Sequence, residues 1–565
     1  MTKIHGGQLV VRALQKEGVN YVFSICGGHL APLYDAMIES DLSLEYTRHE
    51  QAAVMMAEAW GRISGQPGVA MVTAGPGFTN ALTGVANARL ANVPLVVIGG
   101  AVATDMVGRL DLQEIPQLEA ITPLVKWSRR VLDVARIEES VHEAFHQARS
   151  GNPGPVYLEI PADILGAQLE EKELLACEPR RVVKAGADPD LVKSAVELLA
   201  KASRPIMIAG SGTWFARASQ NLKSFVEQSG IPAFTTGMGK GVIADDHPLC
   251  FGPGFAVRPG AAFSGLLQAD VVLLLGTRIS LFFAHGKIFN PDARIILATI
   301  DPGEVGRNRP ATVALLGDVD IILGQLLEFS RGRLKPENYS AWVKQLKTAQ
   351  AQSLSEFRKQ MESDQVPIHP VRLCHELDRF LAEDDFLAVD GGDTSVWMNM
   401  VRSYRKPGHT LESGLFGCLG VGLPYAVALQ LAHPGRRVAA IIGDGAVGFN
   451  FMEFHTMFRL GLPVVVVVNN DQAWGMVRHS QMLRYGKERL IGVDLGYVPY
   501  HKMVEALGGY GEEVTSPDEI RPALERAFAS QRPALLNVMT ERDIISPGSH
   551  ALAAIGKKEG LAGAY

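Results

Sequence analysis

Asp444 stands 26 positions before Asn470 and 27 before Asp471. A strand, a helix and a second parallel strand need about that many residues. The aspartate of GDG (443–445) and the polar end of VVVVVNND (464–471) therefore arrive at neighbouring strand ends on one rim of a sheet. A glycine turn entering a helix presents backbone N–H groups, here those of Gly445 and Ala446, to an anion. A carboxylate beside a bound phosphate is repelled, and a divalent cation between them removes the conflict. Mg2+ takes oxygen ligands, commonly one or two carboxylates plus phosphate oxygens. Asp444 with Asn470 or Asp471 thus reads as half of a magnesium-diphosphate centre.

Strands must carry these groups to the rim. YVFSICGG, GVAMVTAGPG and VPLVVIGGA in the first third are short apolar runs ending in small residues, as are RPIMIAGSG, ADVVLLLGTRI and ARIILATID in the middle. DFLAVDGGD, RRVAAIIGDG and LPVVVVVNND repeat the pattern in the last third. Such runs are strands buried on both faces of a parallel sheet. Strands alternating with helices predict an α/β protein of three doubly wound parallel-sheet domains. They span 1–169, 188–332 and 366–545, with a tail at 546–565. A charged linker follows Glu170, and SAWVKQLKTAQAQSLSEFRKQME predicts a polar connecting helix before the third domain. Taken alone, the loops GPG (75–77) and GSG (210–212) are ordinary turns.

At 565 residues the chain exceeds one core, and a 47% hydrophobic, 20% charged composition is that of a packed soluble protein. A net charge of −6 without basic blocks argues against a nucleic-acid partner. The five cysteines have no CxxC pairing and read as buried thiols in a reducing compartment. No signal-peptide pattern and no run of about 18 apolar residues is present, so no membrane association and a cytoplasmic location are expected.

GDGAVGFNFMEFHTMFRLGLPVVVVVNND resembles the thiamine diphosphate motif, and TRHEQAAVMMAEAWGRISGQPGVAMVTAGPGFTNALTGVANA resembles the pyrimidine-binding domain of the acetolactate synthase superfamily. The resemblance covers nearly the whole chain and implies the order pyrimidine-binding, central and diphosphate-binding domain. It implies thiamine diphosphate and Mg2+ as cofactors. Glu50 of RHEQAA matches the carboxyl group that holds the pyrimidine N1′ so that the cofactor's amino group takes the thiazolium proton. The surrounding AAVMMA is expected to desolvate it. Gly75 and Asn80 belong to the same cradle, as do Gly392, Asp393 and Thr394 of GGDT, and Gly445, Ala446 and Met476. SGLFGCLGVGLP resembles the loop that bends the cofactor, which assigns Gly417 and Leu419. Aligned without gaps on the family's NNxxxGMVR, NDQAWGMVR gives Asp471 as metal ligand beside Asp444 and the carbonyl of Ala473. A shift of one residue gives Asn470. In this family the cofactor lies between subunits, implying a homodimer at least and a homotetramer as the expected assembly.

CGGHLAPLYDAM and GRLDLQEIPQLEAITPLVKW look like the acetolactate-synthase-like 2-hydroxyacyl-CoA lyases, and GTRISLFFAHGKIFNPDARIILATID is similar to CoA-using members such as oxalyl-CoA decarboxylase. An aspartate-rich segment expected of an FAD-containing synthase is missing, so FAD is not expected and ADP or CoA in the central domain is. The implied reaction is cleavage of a 2-hydroxyacyl-CoA thioester to formyl-CoA and an aldehyde or ketone, reversible as a carboligation. The alternative is acetolactate synthase. His29 and Gln113 are candidates to serve the departing carbonyl oxygen, His29 being alternatively a packed polar residue. Arg258, Arg278 and Lys287 are candidates for the CoA phosphates, or else solvated surface charge. The tail, with Lys557 and Lys558, is either a lid over CoA or a frayed end.

Overall fold

A computed structural model describes residues 3–174, 176–255 and 260–558. Each third of the chain builds one six-stranded parallel sheet with helices on its faces. The apolar runs are its strands, and residues such as Val465, Val466, Val467 and Val468 are fully enclosed. That is what a sheet covered on both sides requires.

The first sheet has the order Ser43–Tyr46, Tyr21–Ser24, Gly68–Val72, Leu95–Ala101, Pro155–Pro161, Trp127–Arg130. The second runs Cys250–Pro253, Ala233–Thr235, Pro205–Ala209, Val271–Leu275, Arg294–Thr299, Val313–Leu316. The third runs Thr410–Glu412, Phe386–Asp390, Val438–Gly443, Val465–Asn470, Ala534–Met539, Tyr510–Val514. In each, the chain first winds outward one way and then resumes on the other side of its starting strand. The reversal leaves a crevice at the carboxyl end, where open α/β sheets bind ligands. The motif loops flank these crevices: 25–28 with 73–75 in the first sheet, Gly210 with Gly276 in the second, Gly391 with Asp444 in the third.

By compactness the chain divides into two units, one of Met1–Val183 with Ser413–Val438 and Val447–Val464, the other holding the rest. In the first unit, helix Glu50–Ser64 packs against helix Gly422–Ala432 around a buried polar cluster. Glu58 pairs with Arg62, and its second oxygen accepts from Asn87 Nδ2 (2.7 Å) and Tyr425 Oη (2.9 Å). Arg62 lies over the Tyr425 ring at 4.9 Å. All four side chains are fully enclosed. Removing one member of such a pair leaves a bare charge, so Arg62→Met is expected to destabilise the protein by about 3–5 kcal/mol. Denaturant unfolding followed by fluorescence measures it.

The sequence reading missed a two-stranded antiparallel ribbon of Lys3–His5 with Gln168–Glu170, which ties the chain start to the end of the first domain. The helix expected between GDG and the valine strand is broken into Asp444–Val447, a 3-10 turn at Gly448–Asn450, and Glu453–Leu460. The polar connecting helix is Ser340–Met361. Cys250, Cys374 and Cys418 are buried as expected, but Cys177 is half-buried and Cys26 is exposed just beyond strand Tyr21–Ser24. No helix among the described residues is long and apolar enough to cross a membrane.

Candidate active site

In the second unit, strand Val465–Asn470 and the residue that follows it deliver three polar side chains with different fates. Asn469 Nδ2 donates to Thr394 Oγ1 at 2.9 Å, bracing the GGDT turn. Asn470 Nδ2 donates to Asn537 Oδ1 on the neighbouring strand at 2.9 Å, and its Oδ1 accepts from Gln472 N at 3.1 Å. Asp471 turns to Asp444. The positive φ of Gln472 (56°) swings the chain back so that the Ala473 N–H meets Asp444 Oδ2 and Asp471 Oδ1, each at 3.2 Å. Two carboxylates thus converge on one amide, while the Asn470 amide is already committed.

Burial pushes the Asp444 carboxyl up, and burial followed by repulsion from Asp444 pushes Asp471 up further. Two buried carboxylates held against each other are the hard-oxygen donor set that a divalent cation neutralises. Asp444 Oδ1 also accepts from Gly445 N at 2.9 Å, so that N–H, expected to face an anion, serves the aspartate; Ala446 is buried beside it. Tyr500 Oη donates to the Asp444 carbonyl at 3.0 Å.

Beside the pair, helix Gly392–Val401 starts without a side-chain cap, leaving its first N–H groups for an anion. Gly392 and Gly445 are glycines for close approach. A Cβ on Gly392 would meet the Met476 side chain at 2.9 Å, and one on Gly445 the Trp474 ring at 2.6 Å. Asp393, assigned to the cofactor by resemblance, points its carboxylate inward. Oδ2 meets His479 Nδ1 at 2.6 Å, and Oδ1 accepts from Ser546 (2.5 Å) and Ser549 (2.9 Å). Burial opposes the charge on His479, but the bond to Asp393 outweighs it and the net shift is upward. The uncapped helix, the tight glycines and the two carboxylates fit a diphosphate held through Mg2+.

In the first unit, Glu50 opens helix Glu50–Ser64, whose start is capped by His49 Nδ1 accepting from Gln51 N at 3.1 Å. Its Oε2 accepts from Asn80 Nδ2 at 3.0 Å, and its Oε1 lies over Gly77. AAVMMA turns into the core, but Glu50 stays half-buried, so that run does not enclose it as expected. His29 Nδ1 lies 3.2 Å from Thr73 Oγ1 across the crevice. Gly75 (φ 61°) packs against Gln113, itself in the left-handed region at φ 67°. A non-glycine residue there carries strain that a functional loop retains.

The residue the sequence reading missed is Gln117, four positions beyond Gln113. Almost wholly buried, it accepts from Gly75 N at 2.7 Å and donates to Gly100 O (3.0 Å), Tyr157 Oη (3.1 Å) and Glu159 Oε2 (3.3 Å), forming the crevice floor. In the segment 413–422, Gly417 is exposed with φ 66° and Leu419 is half-buried, and Asn450 Nδ2 holds the Gly420 carbonyl at 2.7 Å. Arg278 and Lys287 lie in the loop after Val271–Leu275. Arg258 is outside the described residues, as is the tail beyond Lys558.

Three doubly wound sheets with their glycine loops at the switch points, a buried carboxylate pair and a half-buried glutamate define a thiamine diphosphate enzyme. The chain belongs to the thiamine pyrophosphate enzymes that include the acetolactate synthases and 2-hydroxyacyl-CoA lyases: residues 4–120 match the N-terminal TPP binding domain, 192–326 the central domain and 390–538 the C-terminal TPP binding domain. It is 35% identical over 556 residues to a probable acetolactate synthase of Mycobacterium bovis, covering 97% of this chain and 98% of that protein. It is 32% identical over 596 residues to 2-hydroxyacyl-CoA lyase 2 of Homo sapiens, covering 97% and 92%.

Proposed function

We propose that the protein is a thiamine diphosphate- and Mg2+-dependent carbon-carbon lyase that cleaves a 2-hydroxyacyl-CoA to formyl-CoA and an aldehyde or ketone, and runs in reverse as a carboligase. The bound cofactor supplies a nucleophilic carbon and an electron sink. Asp444 and Asp471 hold the metal, the start of helix Gly392–Val401 faces the diphosphate, and Glu50 holds the pyrimidine nitrogen. Arg278 and Lys287 take the CoA phosphates, and the active unit contains at least two copies of the chain.

The observation that carries the lyase reading is His29 at the crevice of the first sheet, 3.2 Å from Thr73, whose loop continues to Gly75 and its contact with Gln113. Breaking a 2-hydroxyacyl carbon-carbon bond requires that the carbinol O–H lose its proton as the carbonyl forms. An imidazole is the side chain suited to that near neutral pH. Loss of CO2 from a 2-oxoacid makes no such demand, although the condensation that follows it in an acetolactate synthase does, the acceptor's carbonyl oxygen there gaining the proton that the carbinol loses in cleavage. The acetolactate synthase relatives support the second reading, condensation of two 2-oxoacids.

Incubating the protein with thiamine diphosphate, Mg2+, formyl-CoA and a panel of aldehydes and ketones should yield 2-hydroxyacyl-CoA by mass detection. Rapid acetolactate formation from pyruvate, with no such product, would overturn the lyase reading. His29→Asn is expected to lower kcat/KM for cleavage by about 10²-fold, with cofactor affinity by calorimetry unchanged.

A further inference from the structure

We propose that Glu453 is a positioning residue for Glu50, acting through the backbone of the segment that delivers it; this rests on the thiamine diphosphate reading. Glu453 opens helix Glu453–Leu460 and is 1% exposed. One carboxylate oxygen accepts from Arg48 N at 2.9 Å, and the other accepts from the Thr456 hydroxyl at 2.6 Å. Six positions along, Arg459 donates to the Tyr46 carbonyl at 2.8 Å and lies over the Tyr46 ring at 3.5 Å. One helix therefore grips two backbone groups of the chain two and four residues before Glu50.

Other polar groups of that segment are fixed from its own domain. Thr47 N donates to Ser24 O at 2.9 Å, Thr47 Oγ1 donates to the His49 carbonyl at 2.9 Å, and His49 caps the helix that Glu50 begins. Arg48 is exposed, and the amide of an exposed loop residue is ordinarily satisfied by water. Here it meets a carboxylate taken wholly out of solvent, whose burial pushes its pKa up. Buried charge is a poor source of net stability, since apolar replacements of similar volume are often neutral. Fixed geometry is what this one provides. Glu50 must meet a ring nitrogen at hydrogen-bond distance, and a displacement of about 1 Å at a reacting centre costs on the order of 10²-fold in rate.

The test uses the full chain and two variants. Hydrogen–deuterium exchange of the cofactor-free protein reads the Arg48 amide directly; calorimetry reads thiamine diphosphate affinity with Mg2+; and quenched-flow NMR reads proton exchange at C2 of the bound cofactor. In Glu453→Met, exchange at Arg48 should rise at least about tenfold with helix Gly422–Ala432 unchanged. C2 exchange and kcat should fall about 10- to 100-fold, with affinity nearly unaltered. Glu453→Gln, which keeps an acceptor oxygen, should restore most of both. Should the methionine variant not fold, Thr456→Val, which frees one side of Glu453, is expected to give the same signs at smaller size. Protection of Arg48 or C2 exchange at the wild-type level in a folded methionine or valine variant would overturn the proposal. Failure of the wild-type protein to bind thiamine diphosphate would instead overturn the cofactor reading.

Discussion

Glu50→Gln should lower turnover by about 10²- to 10⁴-fold, the range over which a positioned acid-base group acts, with thiamine diphosphate still bound. The amide oxygen can accept from Asn80 as the carboxylate does at 3.0 Å, so the local fold is retained. What is lost is the negative charge that favours a protonated pyrimidine nitrogen. The expected signature is therefore a fall in kcat with a small change in cofactor affinity, read by steady-state kinetics beside calorimetry. A variant that keeps full activity would remove Glu50 from the mechanism and with it the positioning role of Glu453.

Periodic and local features were legible in the sequence. Apolar strands ending in glycine follow from burial on both sheet faces, and the interval from Asp444 to Asp471 from the length of a crossover. Spatial partners were not. Glu453 lies inside the motif that runs from GDG to NND, nine positions after Asp444, yet its partner Arg48 is 405 residues away in sequence. Gln117 looks like any polar residue after a proline, and only the folded chain brings the Gly75 amide to it. Asp393 was read as a cofactor contact because GGDT sits where such a contact belongs; it turns inward because His479, Ser546 and Ser549 converge there. The broken helix after GDG has a local cause that propensity understates, since Gly448 and Asn450 interrupt an otherwise apolar run.

The carboxylate pair gives the second large effect. Both groups are pushed above the ordinary carboxylate value of about 4, so the cofactor-free fold favours their protonated forms. Their contribution to stability is fully present below that value and is lost as pH rises through the raised values. Asp471→Asn removes the repulsion while keeping an oxygen ligand. The cofactor-free variant should match the wild type in Tm near pH 4 and exceed it increasingly toward pH 8, by about 1 °C for each kcal/mol relieved in a chain of this length. Mg2+ bound with thiamine diphosphate would bring positive charge to the pair, so it should stabilise the wild type more as pH rises and narrow that gap. Asp444→Ala takes away the carboxylate that the Ala473 amide and the Gly445 turn are arranged around. It should abolish the rise in Tm with Mg2+, which reports a stabilisation of about 2.7 kcal/mol for a ligand at 100 times its Kd. Equal Mg2+-dependent stabilisation of Asp444→Ala and wild type would place the metal elsewhere. A gap between Asp471→Asn and wild type that does not change with pH would mean that the two carboxylates do not share their charge.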